Sequence, residues 1–493
     1  MMRTPRTDFW LTLILAPFAA TLVCLIVLYT ITPAYRDHLE PTMVVLSQQW
    51  LAGYPLYHSP DSPYLYSMLY GPVPTLWMAA ILQICPNPIV ASKLAIFIPS
   101  LLSLAMLCSV FVKKAGWQVA IMSLGICSVG LMHSGIIAFS VRADSPMWLA
   151  SSLAIFALYS RNITVGSILI GTAMAIAIGS KLHGVLYIMP VAVVWFTRNG
   201  WRQILVTGTV AAFLCIIPFL MHGISISGYM QWLKLAMKHG LQLSLMIDCL
   251  TALLLLMIPA VAAILASKGN PDRENAIFSI SILVCALIVC IPASKAGAGP
   301  NHLLPFAPYA GYMFCIVMAS PREWPGRHWL ISSLIGILWL TIAIIETLYA
   351  GFICVRIAQS PVVQVGEELQ VILQRYPARQ MQMGVGGNWT YETTFSCPLL
   401  YAGGGPRVLD PGSFMDMQES GLSDAPLVNS LRNQSFRYWL IPKGAAPFTS
   451  INWYTNRDLF SNSVRETFST HYQKTETTRF FDIYQAVSPP APN

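Results

Sequence analysis

Five short segments of this chain carry side chains able to move a proton or hold an anion. They contain Arg36, Asp37 and Glu40; Arg142 and Asp144; Lys181; Lys234 and Lys238; and Lys295, Asn301 and His302. A carboxylate beside a hydroxyl acts as a general base, and cations beside a departing phosphate stabilise its charge. Apolar runs of about 14–24 residues, near the length of a membrane span, separate the segments. A topology count puts all five on the same face. Acids and bases converging at one surface of a polytopic membrane protein point to an enzyme of that surface rather than to a plain channel.

The elements that must position these residues follow from composition. The 493 residues are 55% hydrophobic and only 10% charged, which fits repeated membrane spans and not a soluble chain of this size. Up to residue 355 there are 18 Lys+Arg and 10 Asp+Glu; from Arg356 onward there are 11 of each. The net charge of +8 therefore sits in the membrane part and reflects orientation signals and sites, not nucleic acid. Ten of the 11 cysteines precede residue 355, none forms a CxxC, and only Cys397 lies in the polar tail, so neither a disulfide framework nor a zinc site is expected. Phe9 to Ile31 is too long for a signal-peptide core and lacks a small-residue cleavage pattern; it reads as an uncleaved first span.

Spans are expected at 9–31, 89–112, 117–134, 145–160, 163–179, 182–197, 203–221, 247–267, 276–293, 303–319 and 328–350. The short segment 71–84, with two prolines at its start, decides the count. Reading it as interfacial gives eleven spans, an inside N-terminus, and 11 inner against 7 outer positive charges. Reading it as a span makes twelve, reverses the bias, and separates Glu40 from Asp144 and His302. Eleven is the better reading. Segment 224–243 reads as a second interfacial helix, with Tyr229 and Trp232 at the headgroup boundary. Beyond Arg356, expectations are a helix at 363–375, strands at 380–385, 436–441 and 480–486, and a Ser463/Glu466 capping box opening a helix that ends near Tyr472. The expected organisation is thus a transmembrane domain, 1–355, and a small α/β exterior domain, 356–493.

Each motif also has a plainer reading. The first loop can be a solvated turn, Arg142 and Asp144 a local ion pair, and His302 a span-end histidine bonded to a carbonyl. Gly53-Tyr54-Pro55-Leu56-Tyr57 and the loop from Tyr64 to Pro74 fit an aromatic interfacial belt. Lys295 to Pro305 is glycine-rich like a phosphate loop but lacks the Lys-Ser/Thr ending, so a nucleotide P-loop is not supported. Asp248 and Glu346 rank second as cavity-lining acids.

The order of these pieces is informative: one span, an acidic outer loop, Gly53-x-Pro55-Leu56-Tyr57, Tyr70-Gly71-Pro72, Arg142-Ala143-Asp144 opening a span, and Asn301-His302-Leu303-Leu304-Pro305 opening another. It resembles the GT-C superfamily of polytopic glycosyltransferases, above all the branch of aminoarabinose transferases and protein O-mannosyltransferases, over roughly residues 9–350. The resemblance implies inverting transfer of a sugar from a polyprenyl-phosphate carrier to a cell-envelope glycan, lipid or protein, at the outer face of a bacterial inner membrane with the C-terminal domain outside. It implies a first-loop base at Asp37 or Glu40, a second acid at Asp144, and carrier-phosphate contacts from some of Arg142, Lys181 and Lys295; Arg36, Tyr70, Asn301 and His302 are further candidate substrate contacts. Many members have adjacent first-loop acids; here His38 lies between the two. Glu40 is preferred because Glu40-Pro41 begins a helix. The sequence identifies no certain cofactor, and acids grouped at one face are able to bind a divalent cation weakly. The competing expectations are a transporter or lipid flippase, which favours inverted repeats and mid-span charges, and a non-catalytic envelope-assembly protein of the same descent.

Overall fold

The computed structural model describes residues 5–64, 70–238, 240–265, 273–319 and 329–487. Arg3, residues 65–69, Lys268, Arg322, Arg327 and the proline-rich 489–492, all used in the sequence reading, lie outside them. Helices occupy the expected span positions: Pro5–Ile31, Pro88–Met132, Asp144–Ala157, Ile163–Ser180, Val185–Asn199, Trp201–Ile216, Leu243–Leu265, Arg273–Ala293, Ala307–Ala319 and Trp329–Ala358. Pro88–Met132 serves two of them, because Gly116 breaks it with φ of 80°, a left-handed value that suits glycine. Among the described residues, seven helical stretches are long and apolar enough to cross a membrane. Asp144–Ala157 and Val185–Asn199, with 14 and 15 residues, are shorter than the roughly 20 needed to cross the hydrocarbon core. The protein is a polytopic α-helical membrane protein with a small C-terminal sheet.

The chain packs as two compact units. The first comprises residues 1–31, 96–217 and 241–356; the second comprises 32–95, 218–240 and 357–493. In the first unit, helix Ile163–Ser180 lies against Trp201–Ile216 and Asp144–Ala157, and Val185–Asn199 lies against Arg273–Ala293. Asn162 caps Ile163–Ser180 by accepting from the Thr164 and Val165 N–H groups, a contact worth about 1 kcal/mol. Large side chains such as Leu254, Ile280 and Leu338 remain exposed, as lipid-facing positions require.

The second unit contains a four-stranded sheet. Its strands are β1 (Met381–Met383), β2 (Tyr438–Pro442), β3 (Tyr472–Thr477) and β4 (Phe481–Ala486), in the order β1-β2-β4-β3. β1 and β2 are parallel; the other pairs are antiparallel. Helix Val362–Arg375 buries Val365, Leu369 and Ile372 against Met381, Leu440 and Ile483 of the sheet. Val45 joins the same core from helix Leu39–Leu51, the helix that follows the first acidic loop.

Two expectations need correction. Ser463 and Glu466 do not open the tail helix, which runs Asn462–His471 with Ser461 at its N-cap and no side-chain capping bond. Its entry is fixed instead by Asp424, whose Oδ2 accepts the Ser461 N–H at 2.8 Å. The segment after that helix is β3, a strand the sequence reading lacked. Tyr229 and Trp232, expected at a headgroup boundary, are buried on helix Ile226–Ala236, and Trp232 Nε1 donates to the His58 carbonyl at 2.9 Å. Their aromatic area is used to pack this helix against the loop containing Tyr57 and His58.

Candidate active site

The sequence-expected residues fall into two clusters, one in each unit. In the second unit the chain leaves the first span and turns at Tyr35 to His38. Lys93, buried, donates to the Ala34 carbonyl at 2.7 Å, and Tyr35 and Ser92 share a hydrogen bond of 2.9 Å. Burial, partly offset by the Ser92 hydrogen bond, pushes the Tyr35 hydroxyl far above its ordinary pKa, so it stays protonated. Glu40 closes the turn: its Oε2 accepts the backbone N–H of Arg36 and that of Asp37, the latter at 3.3 Å. Glu40 is 0% exposed, whereas Arg36 and Asp37 are half-buried. Asp37 Oδ1 accepts the Leu39 N–H at 3.0 Å, fixing the carboxylate at the start of helix Leu39–Leu51.

That helix is fastened to the C-terminal part of its own unit. Thr42 Oγ1 donates to Asp410 at 2.6 Å, Gln48 Nε2 to the Pro398 carbonyl at 3.0 Å, and Gln49 Nε2 to the Gly405 carbonyl at 2.7 Å. Asp410 also pairs with Arg407 at 2.9 Å and caps helix Pro411–Gln418. His38 meets the rings of Tyr391 and Trp453 edge-on, at 6.1 and 5.4 Å. Sequence reasoning missed Thr42, Arg407 and Asp410. An acid beside a Gly-Pro-rich turn, Gly405-Pro406-Arg407, was the only local signal of them. Tyr70 is half-buried, and its carbonyl accepts the Tyr57 hydroxyl at 2.9 Å.

In the first unit Asp144 opens helix Asp144–Ala157 and is 0% exposed. Its Oδ1 accepts Lys181 Nζ at 3.1 Å, and its Oδ2 lies 3.6 Å from Arg142 Nε. The Tyr29 hydroxyl accepts the Val141 N–H at 3.2 Å and so steadies the approach to Arg142. Lys181 ends helix Ile163–Ser180, and a single turn, Leu182–Gly184, leads to the next. The turn is tight enough that a Cβ on Gly184 would lie 2.0 Å from the Ala177 carbonyl oxygen.

The His183 ring stacks on His302, with centroids 5.1 Å apart and planes at 14°. Tyr187 donates its only hydroxyl proton to the His302 carbonyl at 2.8 Å, so the 3.0 Å contact between His183 Nε2 and that hydroxyl needs the proton on Nε2. Burial, followed by the Lys181 charge, pushes the His183 imidazole down to about 3, so the ring is neutral. Asp144 Oδ2 and His302 Nδ1 are buried without a hydrogen-bond partner among the described residues. One buried carboxylate here pairs with two cations, beside an imidazole nitrogen, His302 Nδ1, that has no hydrogen-bond partner among the described residues. That is a binding arrangement for an anion with hydroxyl groups attached.

Lys295 and Asn301 lie in the segment before His302. Lys295 forms an isolated antiparallel bridge with Leu241, and Asn301 is buried in the turn Pro300–Phe306. Glu346 pairs with His133 at 3.2 Å, in a cavity also lined by Pro259, Leu303 and Trp339. Among the described residues no three His, Cys, Asp or Glu side chains gather where a metal ion could be held.

No family model matches the sequence, and no curated protein matches it by sequence similarity. Solved structures do match in fold. ArnT from Cupriavidus metallidurans in the apo state superposes with a TM-score of 0.59 at 10% identity, covering 99% of this chain and 100% of that one. The same protein bound to undecaprenyl phosphate gives 0.54 at 11% identity, over 98% and 99%. The chain has the GT-C fold. The near-complete coverage of both chains extends the GT-C likeness beyond the span region, through the C-terminal sheet.

Proposed function

We propose that this protein is a glycosyltransferase that moves a sugar from a polyprenyl-phosphate carrier to a cell-envelope acceptor at the outer face of the inner membrane. The observation that carries the reading is the buried Arg142–Asp144–Lys181 ion-pair cluster, held in a chain of GT-C fold. The ArnT structure with undecaprenyl phosphate supports the carrier class. Arg142 and Lys181 take the carrier phosphate, with the arginine able to contact two oxygens at once. Asp144 orients both cations. Lys295, Arg36, Tyr70, Asn301 and His302 contribute to carrier and sugar contacts.

In the reaction an acceptor hydroxyl oxygen attacks the anomeric carbon from the face opposite the phosphate. The new C–O bond forms as the bond to the phosphate oxygen breaks, and the configuration inverts. The hydroxyl proton passes to a first-loop carboxylate, and polyprenyl phosphate leaves with the bonding electron pair. A base must touch its substrate. Asp37 is half-buried, while Glu40 has no exposed surface and spends Oε2 on two backbone N–H groups. The geometry therefore favours Asp37 as the base and Glu40 as the residue that holds the turn, against the preference drawn from the Glu40-Pro41 pair. The exterior domain holds helix Leu39–Leu51 and shapes acceptor entry.

The test is transfer by the purified full-length protein with a polyprenyl-phosphate sugar, comparing wild type, Asp37→Asn and Glu40→Gln. Loss of turnover in Asp37→Asn with retained carrier binding supports the assignment. Wild-type turnover in both variants would remove the first loop from the chemistry.

A further inference from the structure

The second unit contains a cleft that belongs to neither cluster. We infer that it binds a neutral oligosaccharide, the glycan portion of the acceptor. Its volume is about 620 Å³, inside the ~300–1,000 Å³ common to small-ligand sites. One wall is helix Ala425–Arg432 and the residues after it. Asn429 and Asn433 lie one turn apart on the same face, exposed, and both line the cleft. The opposite side is formed by Pro60 to Tyr64 and by Leu235 of helix Ile226–Ala236.

Three features of the lining specify the ligand. First, apart from Asp61 its polar side chains are amides and hydroxyls, each able to donate and accept, as sugar hydroxyls do. Neither amide side chain has a hydrogen-bond partner among the described residues. Ser430, 7% exposed, also lines the cleft, and its buried Oγ has no partner among them either. Second, Asp61 is the only charged residue in the lining among the described residues. A phosphate or an anionic lipid headgroup needs cations, and a lone carboxylate repels it. Third, Pro63, Pro426 and Phe436 give flat apolar surface for the C–H faces of sugar rings, while no residue of β1–β4 lines the cleft. A peptide therefore finds no strand edge here to extend.

The inference takes from the proposed transferase activity only the role of the glycan as acceptor; binding requires no turnover. The experiment uses the full-length protein in nanodiscs. Maltotetraose, mannotetraose, arabinotetraose and chitotetraose are titrated by calorimetry, and hydrogen exchange is followed over residues 60–64 and 421–436. Asn429→Ala with Asn433→Ala, and separately Ser430→Ala, are the test variants. The Asn substitutions are exposed, and melting curves check that each variant is folded. At least one tetrasaccharide is expected to bind with millimolar or tighter affinity and protect both stretches. The asparagine variant should weaken it by about tenfold or more, as loss of two paired amides implies. Absence of binding by all four sugars would overturn the inference, as would binding unchanged in the asparagine variant. So would protection of this cleft by glycerol phosphate or a tetrapeptide with none by the sugars. Saccharide binding without any transfer would instead sink the proposed enzyme activity and leave the cleft assignment standing.

Discussion

At the scale of single residues, the two first-loop acids look interchangeable in sequence and differ sharply in surroundings. Glu40 is sealed into its turn, and Asp37 is half-buried. Asp37→Asn preserves shape and the Leu39 contact but removes basicity, so turnover should fall by about 10²–10⁴-fold with little change in carrier affinity. Glu40→Gln keeps an acceptor oxygen for the same N–H groups. It should lose less than Asp37→Asn, and steady-state kinetics on the pair will rank them; the opposite ranking returns the base to Glu40. A second residue-scale prediction concerns Lys181. Replacing it by Met removes one of the two cations around a fully buried carboxylate, which costs roughly 3–5 kcal/mol. Lys181→Met should therefore melt earlier and also show a raised KM for the carrier. Lys181→Arg should recover most of the stability. A KM unchanged in both variants would make the ion pair purely structural.

Elements were legible in the sequence where one physical signal dominated. Long apolar runs marked the span helices, a short apolar run marked β2, and alternation marked β4. β3 was hidden because its outward residues, Gln473 and Lys474, lack any apolar alternation and its pairing with β4 is irregular between Lys474 and Glu476. The first-loop helix was legible from Glu40-Pro41, but its seat was not. Val45, Gln48 and Gln49 find partners some 350 residues later in the chain, beyond any local pattern. Likewise Arg142, Asp144, Lys181 and His302 could be named as candidates from their places at span ends, yet the stacking of His183 on His302 arises only from packing.

Two predictions belong to this scale. Gly184→Ala would drive a methyl into the Ala177 carbonyl and disturb the turn between Lys181 and His183. It should lower transfer although the residue carries no functional group, and normal activity with normal melting would refute the tight-turn argument. In the C-terminal sheet, burial works against the charge of Asp482. Bonds from Thr477 Oγ1 and the Gly444 N–H, with the Lys474 charge, outweigh it and hold the carboxyl below its ordinary pKa. Its contribution is thus present above the unfolded value near ~4 and is lost as pH falls through the lower folded value. Asp482→Asn should destabilise the protein near neutral pH by about 1–2 kcal/mol and flatten that acid limb in pH-dependent melting.

At the scale of the whole molecule, the positive-inside bias of the short loops predicts an inside N-terminus and an outside position for residues 357–493. A reporter that functions only outside the cytoplasmic membrane should be active when fused after Asn493, and activity of a cytoplasm-only reporter there would reverse the assignment. The central claim is transfer from a polyprenyl-phosphate sugar. Its most direct measurement is mass spectrometry of lipid-linked sugars in a strain deleted for this protein. The account predicts that one polyprenyl-phosphate sugar accumulates, that the wild-type protein returns it to baseline, and that Asp37→Asn, expressed and inserted normally, does not. An unchanged pool of carrier-linked sugars in the deletion strain, or full restoration by Asp37→Asn, would contradict it.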